Sequence, residues 1–166
     1  IAPFLRGFGL LVFAGTIVAG FAGTQDSGEN IAPVMVYVIF WVGVAWLSAL
    51  VGDVWRMLNP FDTLAMIAGG RVGTAPPERP ADRSLVWSHW PAAVGLLSFQ
   101  WLELAYVDAA SPRAIASWLA VYSLVILGFT ARYGRRWLQT GEGFTVLFGL
   151  FARCAPLGRD EDGTLR

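Results

Sequence analysis

Few side chains in this sequence can do chemistry, and two of them sit where a membrane segment is expected. The apolar run LLSFQWLELAYV carries Gln100 and Glu103 about one helical turn apart. At a 3.6-residue period Ala93, Leu96, Gln100, Glu103 and Val107 share one stripe. An ionised carboxylate facing lipid at such depth costs about 2.5–3.5 kcal/mol or more, so Glu103 should be neutral, paired or beside a wet cavity. Depth matching offers Tyr37 and Trp41 on one neighbouring segment, and Ser117, Tyr122 and Ser123 on another, as hydrogen-bond donors. Two readings follow. Gln100 and Glu103 are an interhelical contact on the order of 1 kcal/mol that fixes register, or Glu103 is a proton-binding or substrate-binding acid kept neutral by burial.

The remaining candidates are sparser. Asp53 and Arg56, one turn apart at the mouth of the second apolar segment, read as a local ion pair more readily than as a gate. Asn59 beside them has the chemistry of a helix cap. His89, next to Trp90, reads as an interfacial residue. With one histidine and one cysteine, Cys154, the chain cannot build the usual zinc or haem ligand sets or an internal disulfide. All twelve basic residues are arginine, which excludes a Schiff-base lysine. Hence no metal and no cofactor are expected. GGRVG follows no strand and so lacks the context of a phosphate loop. A net charge of zero without a basic cluster interleaved with aromatics gives no footprint for nucleic acid.

The elements that position these residues are hydrophobic helices. Apolar residues make up 55% of the chain, charged residues only 14%, and the mean hydropathy is +0.54, a balance that points to lipid as solvent. Apolar segments at 7–23, 34–52, 90–107 and 114–131 each approach the roughly 20 helical residues that cross a hydrocarbon core. Continuous rather than alternating runs exclude a barrel. The expectation is an all-α polytopic membrane protein: one transmembrane domain over 1–166, with four transmembrane helices in two antiparallel hairpins. Short outer connections should make the first helix neighbour the second, and the third the fourth. Arg6 precedes an apolar stretch as in a signal peptide, but no convincing cleavage site follows. Gly15, Ala19 and Gly23 recur every fourth residue as a small stripe suited to close helix approach.

Arginines orient the bundle. Arg6, Arg56, Arg71, Arg79, Arg83, Arg132, Arg135 and Arg136 fall on one side, whereas the opposite loops TQDSGEN and DAASPR hold only Arg113. Both ends of the chain should therefore be cytoplasmic. Two amphipathic segments follow the hairpins on that side. In the first, 60–68, Asn59 can cap, Pro60 suits the first helical position, Asp62 the positive helix start, and Gly69 the end. Its Phe61, Leu64 and Ile67 or Ala68 should rest in the interface, with Trp55 as an anchor. The second, 143–155, is too short to cross and should be interfacial or re-entrant. Hairpin plus amphipathic segment, twice, suggests a structural repeat. RVGTAPPERPADRS between the halves should be a mobile linker. Exclusive use of arginine suggests a GC-rich, prokaryotic source, hence the prokaryotic plasma membrane. The start at Ile1 and the polar tail RDEDGTLR suggest a piece of a longer chain.

ENIAPVMVYVIFWVG, GDVWRMLNPF, WPAAVGLLSFQWLELAY and FGLFARCAPLG together resemble the polytopic prokaryotic membrane proteins labelled fenitrothion hydrolase. The likeness covers most of the chain and rests on Asn30 and Pro33, on Trp55, Asn59 and Pro60, and on Glu103. It implies hydrolysis of an organophosphate-type ester, and further membrane helices beyond Arg166, because members are generally longer. It carries no catalytic residues across. Phosphotriester hydrolysis commonly relies on metal-activated water held by several histidines and carboxylates, or on a nucleophile such as that of a GxSxG elbow; neither set is present, so such a centre would need residues outside this chain. The sequence thus identifies an integral membrane protein of unknown biochemical activity. Two alternatives stand beside it: the membrane-bound hydrolase, and a proton- or solute-coupled transporter subunit using a buried acid. Expected partners are the bilayer and further membrane helices, of the same or another chain.

Overall fold

A computed structural model describes residues 2–72 and 89–156 of the chain. Among them every regular element is helical and no strand occurs. Helix α1 spans Ala2–Ala22. Helix α2 spans Ile31–Val51, and its middle, Val34–Val44, is wound as an 11-residue π-helix. Short α3, Trp55–Leu58, leads to α4, Pro60–Val72. The second half repeats the order: α5 spans Trp90–Leu104 and α6 Pro112–Tyr133. A 3-10 turn at Arg135–Trp137 and α7, Leu138–Gly141, then lead to α8, Gly143–Ala152.

Three helices, Pro3–Ala22, Ile31–Val51 and Pro112–Tyr133, are long and apolar enough to cross a membrane. The third expected span is shorter than its sequence suggested. α5 has 15 residues, about 22 Å at 1.5 Å per residue, because Tyr106 N–H returns to the Trp101 carbonyl at 3.0 Å and closes the helix. The expected linker at 73–88 and the polar tail lie outside the described residues.

Both hairpins end alike. After α2 the chain turns at Gly52 (φ +117°) and after α6 at Gly134 (φ +86°), backbone that favours glycine. In each half a short helical turn and one polar cap residue, Asn59 or Glu142, then open the next helix. The two halves thus share their order of elements.

Helix pairing departs from the order of the chain. α1 makes its most extensive contact with α6, not α2, while α8 packs against both the end of α2 and α5. Glycines explain the first contact. A Cβ on Gly20 would stand 2.5 Å from the Ala116 Cβ, and one on Gly9 would strike the Leu58 carbonyl of α3. Gly15, from the expected stripe, has nothing within 4 Å. The close face of α1 is instead Gly9, Phe13, Thr16 and Gly20, at helical spacing.

The core is aromatic. Phe144 of α8 lies 4.7 Å, centroid to centroid, from Phe40, 5.3 Å from Phe99 and 5.8 Å from Tyr122. Phe61 of α4 reaches Phe13 at 5.5 Å and Tyr122 at 5.8 Å. Each such edge-on or tilted pair contributes about 0.5–1.5 kcal/mol beyond the area it buries. In lipid, where apolar burial alone does not drive helix association, such packing holds a bundle together.

Candidate functional site

Glu142, absent from the sequence-based candidates, is the one fully buried acid among the described residues, with 0% of its surface exposed. The chain turns at Gly134 and doubles back along α6, so that Trp137 stacks on Phe129 at 5.0 Å. It thereby delivers Glu142 to Tyr122, midway along that helix. α8 then departs from this inner point, so 135–152 is a helical hairpin packed into the bundle.

Five donors converge on the Glu142 carboxylate. Oε1 accepts from the Tyr122 hydroxyl at 2.5 Å and the Phe144 N–H at 3.0 Å. Oε2 accepts from the Trp55 indole N–H at 3.3 Å, the Thr145 N–H at 2.7 Å and the Thr145 hydroxyl at 2.5 Å. Two of these are the orphan N–H groups at the start of α8, where the helix dipole also favours a negative charge. Trp55 is thus no interfacial anchor: it is 6% exposed and its ring packs on Phe40 and Phe148.

The first half feeds the same point. Asn59 Oδ1 accepts from the N–H groups of Phe61 at 2.8 Å and Asp62 at 3.2 Å, capping α4 as its sequence suggested. Its Nδ2 donates to the Thr145 hydroxyl at 2.9 Å. Thr145 Oγ1 accepts from Asn59 and donates to Glu142, and so joins the two caps. Asn59-Pro60-Phe61 and Glu142-Gly143-Phe144 occupy equivalent places in the two halves, each with a buried phenylalanine at the second helical position.

Around α4 the expectations hold in part. The helix runs on to Val72, past Gly69. Its start is inside the bundle, with Phe61, Asp62 and Thr63 buried, whereas Met66 and Ile67 are exposed. Asp62 takes a two-pronged contact from Arg135, through Nε to Oδ1 and through Nη2 to Oδ2 at 2.8 Å. Arg6 of α1 adds a third contact at 3.0 Å. Burial alone would push the Asp62 carboxyl up, but the Arg135 hydrogen bonds and the charges of Arg135 and Arg6 hold it below its ordinary value. The same partnership pushes the Arg135 guanidinium up.

The five residues expected to form one buried polar site, Gln100, Glu103, Tyr37, Trp41 and Tyr122, are not gathered together. Gln100 and Glu103 are half-buried and make no side-chain hydrogen bond among the described residues. The buried face of α5 is Ala92, Phe99 and Leu102, one residue round from the expected stripe. Glu103 lies within electrostatic reach of Tyr37, yet the Tyr37 hydroxyl donates to the Ala109 carbonyl at 2.8 Å. Trp41 packs on Phe99 at 5.1 Å, and Tyr122 serves Glu142. Nor do Asp53 and Arg56 form the expected ion pair: the Asp53 carboxylate accepts the Arg56 backbone N–H at 3.0 Å, opening α3 as a cap does. His89 precedes α5 and is exposed.

The sequence contained a signal for Glu142. NPFDTL and EGFTVL align on cap, small or imino first residue, and phenylalanine; glutamate is outside the preferred N-cap types, and a rule built on them passes over it. No group of three His, Cys, Asp or Glu side chains suited to a metal occurs among the described residues. Set against family models, curated proteins and solved structures, the chain matches none of them.

Proposed function

We propose that this chain is a multi-pass membrane domain that uses Glu142 as a proton-binding carboxylate, coupling its charge to the packing of two re-entrant segments, in the manner of a proton- or solute-coupled transporter. The observation that carries the reading is the convergence of five donors on a fully buried carboxylate where two interrupted helices begin. Transporters place their coupling sites at such half-helix ends near the bilayer midplane. A carboxylate accepts all five hydrogen bonds. Once protonated, it keeps fewer acceptor sites and must find an acceptor for its own proton, so the start of α8 and the indole of Trp55 lose partners together. Tyr122 is the titratable side chain bonded to it.

In this reading α5 completes a four-helix, four-span bundle, its 15 residues extended across the bilayer by the polar stretches at each end. Both ends of the chain, with Arg6, Asp62 and Arg135, are cytoplasmic by the arginine asymmetry. The ester-hydrolase reading draws its support from the sequence resemblance and would take its nucleophile or metal ligands from outside this chain.

Amide hydrogen exchange in lipid nanodiscs, followed with an infrared carboxyl band, tests the proposal. As pH is lowered, a carboxyl band absent from Glu142→Gln should appear, and the Phe144 and Thr145 amides should lose protection in step with it. Protection that stays constant while the band appears would overturn the coupling.

A further inference from the structure

The hydrogen bonds around Glu142 reach the edge of the packed core at one residue. Trp55, Asn59, Tyr122 and Phe144 are buried, whereas Thr145 is half-buried. Its hydroxyl is oriented by its neighbours. The Asn59 amide donates to Oγ1 at 2.9 Å, which leaves the hydroxyl's own hydrogen for Glu142 Oε2 at 2.5 Å. A hydroxyl oxygen can accept two hydrogen bonds, and among the described residues Asn59 fills one of those places on Oγ1. The other is open.

The space beside that oxygen continues along α8. Helices α4 and α8 begin together at the Asn59–Thr145 bond, and beyond it they do not pack along each other. Gly149 lies one turn after Thr145 on the same face, and a Cβ there would meet nothing within 4 Å. A groove floored by Gly149 thus leads from Thr145 toward the end of α8, beside the last turns of α2.

The other donors to Glu142 cannot pass a proton inward. The amide nitrogens of Phe144 and Thr145 and the indole nitrogen of Trp55 donate but do not accept. Tyr122 carries a hydroxyl, but it is sealed. Its ring stacks on Trp118 at 4.8 Å, and a Cβ on Gly95 of α5 would stand 3.1 Å from it. No further titratable group faces the carboxylate: α2 and α5 meet this point with Phe40 and Leu96, α7 has no titratable residue, and Asp62 of α4 is held by Arg135 and Arg6.

We infer that Thr145 is the relay through which Glu142 exchanges protons with water in this groove, an inference that rests on the reading of Glu142 as a proton-binding carboxylate. Oγ1 takes a proton from a hydronium ion at its open acceptor place. The original Oγ1–H bond breaks as that hydrogen joins Glu142 Oε2, leaving one water molecule, a neutral threonine hydroxyl and a neutral carboxyl group. Asn59 positions the hydroxyl for the transfer, and release runs the same steps in reverse.

The test uses the full chain in nanodiscs. A photoacid releases protons in a light pulse, and the carboxyl band that is absent from Glu142→Gln is followed in time by infrared absorption. A positioned proton-transfer group contributes about 100-fold or more, so Thr145→Val, which keeps the shape and lacks the hydroxyl, should slow the band to that extent. Thr145→Ser should restore the rate; a slowed band that serine does not restore would reduce Thr145 to packing and overturn the relay. Full speed in Thr145→Val would also overturn it, while leaving Glu142 a proton-binding group. Absence of the band from wild type at every pH would instead sink the reading of Glu142, and the relay with it. Should Thr145→Val not fold, Gly149→Leu, which fills the groove without touching these hydrogen bonds, is read in the same way: a slowed band supports the route, and an unchanged one overturns it.

Discussion

The Tyr122 hydroxyl donates a 2.5 Å hydrogen bond to the carboxylate of Glu142, twenty residues further along the chain. That bond ties the middle of α6 to the start of α8, and with it the 135–152 hairpin to the bundle. Hydrogen bonds to charged groups contribute about 1.5–3 kcal/mol each, and leaving their buried donors unpaired costs a similar amount. Glu142→Ala should therefore lower stability by about 3 kcal/mol or more, measured by reversible unfolding in mixed micelles. Tyr122→Phe removes one donor and leaves four, and should cost about 1–2 kcal/mol. A Glu142→Ala variant as stable as wild type would contradict the place given to this carboxylate.

Gly20 and Gly15 make a matched pair of tests on one helix. Gly20→Ala puts a methyl group 2.5 Å from the Ala116 Cβ and 2.6 Å from the Pro112 carbonyl, so α1 must move off α6, at a cost of about 1–3 kcal/mol. Gly15→Ala meets nothing within 4 Å and should be neutral, or stabilising by up to about 1 kcal/mol through helix propensity. Disulfide trapping between cysteines placed on α1 and α6 would report the displacement.

Asp62 sets an acid limit on this end of the bundle. Its folded-state carboxyl is held below the ordinary aspartate value of 3.8, so the stability it contributes is complete at neutral pH and is lost as pH falls through the lower, folded value. Asp62→Asn should lose about 1.5–3 kcal/mol at neutral pH. It should also flatten the acid arm of the melting curve between pH 5 and pH 2, a window of about that width being expected from linkage. An unchanged acid arm would show that Arg135 and Arg6 do not act through this residue.

Ser48 is fully buried, and its hydroxyl has no hydrogen-bond partner among the described residues. Elsewhere in the chain Thr16, Thr63, Ser123 and Thr130 each bond back to the carbonyl four residues earlier. Ser48→Ala removes an unsatisfied polar group at little change in volume and should raise stability by about 1 kcal/mol. A loss of that size would mean that the hydroxyl has a partner in the membrane.

Legibility from sequence followed the range of the physics involved. Local signals were reliable: Asn59 and Pro60 open α4, apolar run length locates the three long helices, and α8 stands out as an apolar run shorter than those. Signals that depend on angular phase were not. A one-residue error around α5 exchanges Phe99 for Gln100 on the buried face, and with it the whole neighbourhood expected for Glu103. Tyr37 and Trp41 were offered by depth alone, which does not say which way a side chain faces, and the π-wound stretch of α2 departs from the 3.6 period: Phe40 and Trp41, adjacent in sequence, both contact Phe144. Glu142 was missed for a different reason. Its burial arises because the chain reverses at Gly134 and re-enters, which no property of the TGEGF stretch alone records.

Thr145 is also the seam between two halves that are each incomplete. Without residues 135–152, the Asn59 side-chain amide and the Trp55 indole would be buried donors with no acceptor; without the first half, Glu142 would lose the indole and Thr145 its Asn59 donor. Covalent continuity through 73–88 is then not what holds the halves in register. Fragments 1–72 and 89–166, expressed separately and mixed in one membrane, should find each other, and the affinity of that reunion would measure directly what the shared polar contacts are worth.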